Sequence, residues 1–421
     1  MKKLEKITLQ KQSYSVHVPG SKSITNRALL LSALCGSPVI LQKPLICDDT
    51  KAMINCLANM GVNIQQSADS ITVTGNILHS TPNDLTLHAG LSGTTMRFLL
   101  PFLCITKGQK TLTGDTGLLK RPIGHLVESL RALGADITYL GEAGFPPLLI
   151  KQSALTGECI EIKGNTSSQY LSSILMLLPF IKAQKIKVTS KLVSQPYIDL
   201  TIKIMKDFGV SITQKKYKEF VMPHKQTYSR TLPYSIEGDV SSACYFAALA
   251  VLTNSIVTIN NIDSDSSQAD KLFFDVLEKM GNTVVKQKNS ITISGNSIKP
   301  VTIDMENFPD QVQTLAVLTS FAHGVTRLSG IQTLRVKETN RVTAVTAELS
   351  KMGIKTRTTK NTLTIFGGSP KAATIDTYGD HRMAMSFALA SAKIPGIIIN
   401  DPHVVNKTFP EFWSKLENFG V

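Results

Sequence analysis

Acidic residues are scarce in this 421-residue sequence, with 31 Asp and Glu against 45 Lys and Arg and a net charge of +14. Aromatics are scarce too, at 6% with a single tryptophan. No apolar run approaches the roughly 18 residues a bilayer-spanning helix needs. None of the six cysteines forms a C-x-x-C pair, and the eight histidines include neither H-E-x-x-H nor a close His/Cys cluster. A disulfide framework and a metal centre are therefore not expected. Cys35, Cys47, Cys56, Cys104, Cys159 and Cys244 read instead as buried, reduced thiols. The opening "MKKLEKITLQKQSY" has basic residues but no apolar signal core, so a soluble cytoplasmic protein is expected.

What is present is enough apolar material for a folded chain: 42% hydrophobic residues, only 18% charged, and no repetitive tract. The length suggests two or three domains. The positive excess suits a polyanion or small anionic substrates. An RNA-binding protein would satisfy the charge, but no basic-aromatic interleaving offers a stacking platform. The candidate cations also lie scattered at helix starts, which fits a small converging pocket better than a long groove.

A repeat organises the chain. The pattern apolar-x-x-apolar-Gly recurs six times, as "LANMG", "LRALG", "MKDFG", "LEKMG", "LSKMG" and "LENFG", ending at Gly61, Gly134, Gly209, Gly281, Gly353 and Gly420 at intervals of 67 to 75 residues. Each predicts a helix closed by a left-handed glycine. Alternating segments such as "ITVTG" and "ITISG" after them predict strands. Each unit also predicts a second helix, starting at "GSKSITNR", "GLSGTTMR", "NTSSQY", "EGDVSSACY", "FPDQVQT" or "GDHRMAM". Runs such as "ACYFAALAVL" have almost no polar face, so these second helices should be buried centrally.

The sixth copy ends without its strands, and strand-like "KITLQ" and "YSVHV" open the chain, so the N-terminus is expected to complete the last unit. Two three-unit domains follow: 21–234, and 1–20 joined to 235–421. The chain crosses between them near Gly20 and Tyr234, which suggests a hinge and a cleft able to close.

The stretch "VPGSKSITNRALLLSAL" lacks the first glycine of a phosphate loop. Its Ser, and the Asp of other starts, would serve as N-caps. The cations Lys22, Arg27, Arg97, His381 and Arg382 are harder to explain, because a helix N-terminus already carries positive potential. A bound anion would resolve the conflict. Further stretches add Arg121 ("KRPIGHL"), Ser194 and Tyr197 ("VSQPYIDLT"), Lys337, Glu338 and Arg341 ("LRVKETNR") and Lys407 ("NKTFPEF"). The four-residue spacing of Lys337 and Arg341 predicts two cations on one helical face. Asp310 is expected to cap its helix, and Glu338 to pair with Arg341.

Taken in order, "GSKSITNR", "SGTTMR", "KRPIGHL", "SSQY", "QPYIDLT", "EGDVSSA", "RVKETNR", "DHRMAM" and "KTFPEF" closely resemble the 5-enolpyruvylshikimate-3-phosphate synthases (3-phosphoshikimate 1-carboxyvinyltransferases) of the enolpyruvyl transferase family, over essentially the whole chain. The resemblance implies an α/β fold of α+β repeats, an inside-out barrel of two similar domains. Each would hold three βαβαββ units with buried central helices, and the active site would lie in the cleft between the domains. It implies transfer of the enolpyruvyl group of phosphoenolpyruvate to the 5-hydroxyl of shikimate-3-phosphate, with phosphate released, on the route to chorismate and aromatic amino acids. Neither a metal nor an organic cofactor is implied, nor a nucleic-acid or membrane partner, and the expected state is a monomer.

By the same resemblance, shikimate-3-phosphate would meet Lys22, Ser23, Arg27, Ser167, Ser168, Gln169, Ser194, Tyr197, Asp310 and Lys337. Phosphoenolpyruvate would meet Lys22, Gly93, Arg97, Arg121, Gln169, Arg341, Arg382 and Lys407. Asp310 would be the base for the 5-hydroxyl, with Lys22 and Glu338 moving protons at C3 and the leaving phosphate. Leu91 and Thr333 stand where the family pattern has asparagine, which predicts somewhat weaker substrate binding. The sister transferase acting on UDP-N-acetylglucosamine usually carries a reactive cysteine in the loop aligned with "TGDTGLLKRP", and residues 115–121 contain none. Related repeats also occur in RNA 3'-terminal phosphate cyclase.

Overall fold

A helix that ends in solvent leaves carbonyls without partners, and a glycine just beyond it can turn the chain back over them. The repeated glycine pattern does this throughout the computed structural model, which describes residues 1–5 and 13–419. Helices Asp48–Asn59, Gly124–Ala132, Pro196–Asp207, Leu272–Lys279 and Arg341–Lys351 are followed by Gly61, Gly134, Gly209, Gly281 and Gly353. Those glycines take φ values of 84, 103, 87, 95 and 80°. The next N–H then returns to a carbonyl five residues back, as in Val62 to Leu57 at 3.1 Å and Ile354 to Leu349 at 2.9 Å. The sixth glycine, Gly420, lies outside the described residues.

The alternating segments are strands, with "ITVTG" and "ITISG" falling in Ser70–Thr74 and Ser290–Ser294. Among the described residues six small sheets result, five of them four-stranded. A representative one orders its strands as Asp84–His88, Gln109–Thr113, Leu148–Lys151 and Asp136–Tyr139. The first pair is parallel (Asp84 opposite Gln109) and the remaining pairs are antiparallel. Parallel neighbours need a crossover connection, and the helix Gly93–Ile105 supplies it.

The chain forms two compact units, one of Met1–Pro19 with Glu237–Val421 and the other of Gly20–Ile236. In the latter, Tyr234–Ser235 lies parallel to Val39–Gln42, with Tyr234 opposite Leu41. In the former, Ser13–His17 lies parallel to Ile256–Asn260, with Ser13 opposite Ile256. This corrects part of the expectation for the N-terminus. Lys2–Leu4 does join the last sheet, pairing with Ile397–Ile399. Most of "YSVHV", however, completes the fourth unit's sheet, where Asn261 grips the backbone of Val18, accepting from its N–H at 3.2 Å and donating to its C=O at 2.8 Å. "KITLQ" lies outside the described residues.

The second helices are buried almost all round. Leu29, Leu30 and Leu31 of Lys22–Ser32 and every residue from Ala247 to Leu252 of Val240–Thr253 have no exposed surface. Their companions are Gly93–Ile105, Ser168–Leu177, Val312–Ser320 and His381–Ala388. Among the described residues no helix is long and apolar enough to cross a membrane. All six cysteines are free, and only Cys159 is partly exposed.

Candidate active site

The central helices begin where their caps allow. Ser21, Ser92, Ser167, Asp239 and Asp380 each accept a hydrogen bond from the first turn that follows. Charged side chains are thereby held at helix starts.

In the unit Gly20–Ile236, Lys22 opens its helix and its Nζ lies 3.1 Å from Oδ2 of Asp49, a buried carboxylate in the first turn of Asp48–Asn59. Arg27 is buried with uncharged oxygens around it. Its Nε donates to Thr201 Oγ1 at 2.8 Å, Nη1 to Ser23 O at 3.0 Å, and Nη2 to Ser172 Oγ at 3.4 Å and Tyr197 O at 3.5 Å. Among the described residues no carboxylate pairs with it, and burial lowers its pKa to about 10.

Arg97 and Gln169 meet where Gly93–Ile105 packs on Ser168–Leu177. Arg97 Nη1 donates to Gln169 Oε1 at 2.6 Å, Gln169 Nε2 donates to Thr94 Oγ1 at 3.0 Å, and the Arg97 guanidinium lies over the Tyr170 ring. The guanidinium of Arg121 rests against Gly93: a Cβ there would stand 2.7 Å from Nη1 and 2.9 Å from Cζ. Ser167 caps its helix, Ser168 is buried beside it, and Ser194, also buried, takes φ 54° just before Pro196–Asp207. Leu91 is exposed on the loop before Gly93, and Thr333 is buried in the turn Gln332–Val336 of the other unit.

That other unit gathers Asp310, Lys337, Glu338, Arg341, Arg382 and Lys407. Asp310 Oδ1 meets Arg341 Nη1 at 2.9 Å and Lys337 Nζ at 3.7 Å, while Oδ2 meets Arg382 Nη2 at 3.0 Å. Glu338 bridges Arg341 Nη2 at 2.8 Å and Lys407 Nζ at 3.0 Å. Asp380 takes Arg341 Nε at 2.6 Å and also accepts the backbone N–H of Arg382 at 2.9 Å. Four cations thus enclose three carboxylates. Burial alone would raise the Asp310 carboxyl, but Arg382, Lys337 and Arg341 together hold it far below the ordinary carboxylate range. The same carboxylates, led by Asp380, push the Arg341 guanidinium upward against its own desolvation.

Two expectations change here. Asp310 is not a cap: Pro309–Gln311 form a separate turn, Gln311 precedes the helix Val312–Ser320, and the Asp310 carboxylate faces the cations instead. Nor do Lys337 and Arg341 share a helical face, because Asn340 caps a helix that begins at Arg341 and Lys337 lies outside it. The two meet at one carboxylate oxygen. The pairing of Glu338 with Arg341 is present. The dipole conflict at Lys22 and Arg382 is met within the protein, by Asp49 and by Asp310 with Asp380.

Asp49 and Asp380 are the members that motif reading passes over. Each sits at a helix start, where an acidic residue is already explained by the macrodipole or by capping. The usable signal is Asp380 immediately before His381 and Arg382.

An EPSP synthase (3-phosphoshikimate 1-carboxyvinyltransferase) family model matches residues 8–416. The 3-phosphoshikimate 1-carboxyvinyltransferase of Photobacterium profundum is 41% identical, over 98% of each chain. That of Colwellia psychrerythraea is 40% identical, over 98% of this chain and 99% of its own. The solved EPSP synthase from Acinetobacter baumannii has a TM-score of 0.82 at 25% identity, covering 99% of this chain and 97% of that one.

Proposed function

The chain belongs to the EPSP synthase (3-phosphoshikimate 1-carboxyvinyltransferase) family, and from that premise we propose how its residues divide the work. The activity is enolpyruvyl transfer from phosphoenolpyruvate to shikimate-3-phosphate, a step of the shikimate pathway to aromatic amino acids. The substrates bring two phosphates and two carboxylates, whose repulsion must be offset by preorganised donors.

Shikimate-3-phosphate is assigned to Lys22, Ser23, Arg27, Ser167, Ser168, Gln169, Ser194, Tyr197, Asp310 and Lys337. Phosphoenolpyruvate is assigned to Lys22, Gly93, Arg97, Arg121, Gln169, Arg341, Arg382 and Lys407. Asp310 takes the 5-hydroxyl proton as that oxygen bonds to C2 of the enol, and C3 is protonated in the same addition. Loss of a C3 proton from the tetrahedral intermediate re-forms the double bond and expels phosphate. Lys22 and Glu338 carry the protons at C3 and the phosphate.

The observation that carries this reading is the Asp310 carboxylate held by Arg341, Arg382 and Lys337. In that field it is ionised but a weak base. Anionic substrate groups that engage the same cations would relax the field and raise its pKa toward the working range. Free cysteines, nearly all buried, support a reducing cytoplasmic setting.

The test is phosphate release with each substrate singly and with both. Release that requires both shikimate-3-phosphate and phosphoenolpyruvate supports the proposal; turnover with UDP-N-acetylglucosamine in place of the former overturns it.

A further inference from the structure

The turn ahead of the helix His381–Ala388 is strained and tied down. Tyr378 takes φ 54°, a region that bulky L residues seldom occupy, and Gly379 follows at 67°. The Tyr378 ring is largely at the surface, yet its hydroxyl donates to Glu348 Oε1 at 2.6 Å. Glu348 has no exposed surface. Its Oε2 accepts from the backbone N–H of Asp376 at 3.1 Å and lies 2.9 Å from Lys351 Nζ, which also reaches Asp376 Oδ2 at 2.7 Å.

Glu348 stands on Arg341–Lys351, the helix whose first residue binds Asp380. One short turn is therefore fastened to one helix at Arg341, through Asp380, and about 10 Å further along the axis at Glu348 and Lys351, through Tyr378 and Asp376. Stability alone gives no reason for a tyrosine at a position where glycine would carry no steric cost. A hydroxyl that must reach Glu348 does give one. Burial and the Glu348 charge push that hydroxyl's pKa up to about 12, so it remains a donor at neutral pH.

We propose that Glu348 and Tyr378 are positioning residues: they hold the turn Asp376–Asp380 on the helix Arg341–Lys351, and so set the direction in which Asp380 presents Arg341 and Arg382 to phosphoenolpyruvate. The proposal rests on the reading of those two arginines given above.

Tyr378→Phe and Glu348→Ala test it. With the hydroxyl bond gone, the KM for phosphoenolpyruvate rises roughly three- to tenfold, the change expected from one lost hydrogen bond. The KM for shikimate-3-phosphate stays within about twofold, a split between the two substrates that general loosening of the fold would not produce. Amide hydrogen exchange reads the same device without turnover: residues 380–385, where Asp380 caps the Arg382 N–H, exchange faster in Tyr378→Phe than in the parent. Unchanged exchange there overturns the proposal. So does faster exchange with both KM values unchanged or raised alike. A parent protein that fails to turn over the two substrates counts against the proposed function, and the exchange comparison still decides whether the pair holds the turn.

Discussion

Arg341 and Asp380 form a two-point ion pair, Nε to Oδ2 at 2.6 Å and Nη2 to Oδ1 at 3.3 Å, with side-chain exposures of 2% and 0%. Removing one partner of a buried pair typically costs about 3–5 kcal/mol when the other is left uncompensated, and Arg341 would keep Asp310 and Glu338, which puts the loss toward the lower end. Asp380 also caps its helix, worth about 1 kcal/mol more. Asp380→Ala should therefore lose several kcal/mol in urea unfolding. Asp380→Asn, which keeps an oxygen for the cap, should lose less. An alanine variant within about 1 kcal/mol of the parent would show that the pair is not structural.

Asp310 gives a pH dependence with a definite sign. Its folded-state pKa lies below its unfolded value of about 3.9. The stability it contributes is fully present above that unfolded value and is lost as pH falls toward the folded one. The parent should weaken below about pH 4 with a slope of up to about 1.4 kcal/mol per pH unit from this group. Asp310→Asn should lack that component. Urea midpoints between pH 5 and pH 2.5 measure it, and equal slopes in the two proteins would contradict the assignment.

Much of the fold is legible in the sequence because it is local. An apolar-x-x-apolar-Gly ending needs only its own turn to become a capped helix, and "ACYFAALAVL" can only be an interior helix. The site is less legible. The Lys22 to Asp49 and Arg341 to Asp380 pairs join residues 27 and 39 apart in sequence. Asp49, as one of two acids in a helix's first turn, looks complete without any partner. Asp310 looked like a cap because proline and aspartate precede an apolar run, and one extra turn at Pro309–Gln311 releases its carboxylate for other work. Ser13–His17 shows the same limit in a strand, since alternation does not say which sheet receives it.

Gly93 and Arg121 predict a binding effect without a stability loss. A Cβ at Gly93 would stand 2.7 Å from Arg121 Nη1, the far end of a side chain that can swing away. Gly93 is the first residue of its helix and does not have positive φ, so alanine should be tolerated or add about 0.4–1 kcal/mol. The displaced guanidinium should cost phosphoenolpyruvate affinity about tenfold, or ~1.4 kcal/mol. Titration calorimetry with phosphoenolpyruvate in the presence of shikimate-3-phosphate checks this. Unchanged affinity would remove Gly93 and Arg121 from the phosphoenolpyruvate assignment.

Glu338 should act in the chemistry more than in the fold. It holds Arg341 and Lys407 through charge-assisted bonds of 2.8 and 3.0 Å. Glu338→Gln keeps the side chain's shape and an acceptor oxygen but removes the charge and the proton-carrying capacity. Its kcat should fall by about a hundredfold, within the usual range for a general acid–base group. Its unfolding midpoint should move far less than that of Asp380→Ala. A kcat within twofold of the parent would reduce Glu338 to an ion-pair partner.

Arg27 separates binding from stability most sharply. Its guanidinium is buried among the oxygens of Ser23, Thr201, Ser172 and Tyr197, and none of these offsets the charge. Desolvation lowers the Arg27 pKa even with the Phe98 ring 5.0 Å from the guanidinium, so the cation is unfavourably placed and an apolar residue of similar length avoids that cost. The hydroxyls left behind already serve one another: Thr201 Oγ1 lies 2.9 Å from Ser172 Oγ and 2.8 Å from Tyr197 O. Arg27→Met should therefore unfold at an equal or higher urea concentration. A phosphate would complete the site in the parent, so the same variant should raise the KM for shikimate-3-phosphate by at least about tenfold, the loss of one charge-assisted contact. A variant that is less stable and binds normally would mean that Arg27 is held for the fold.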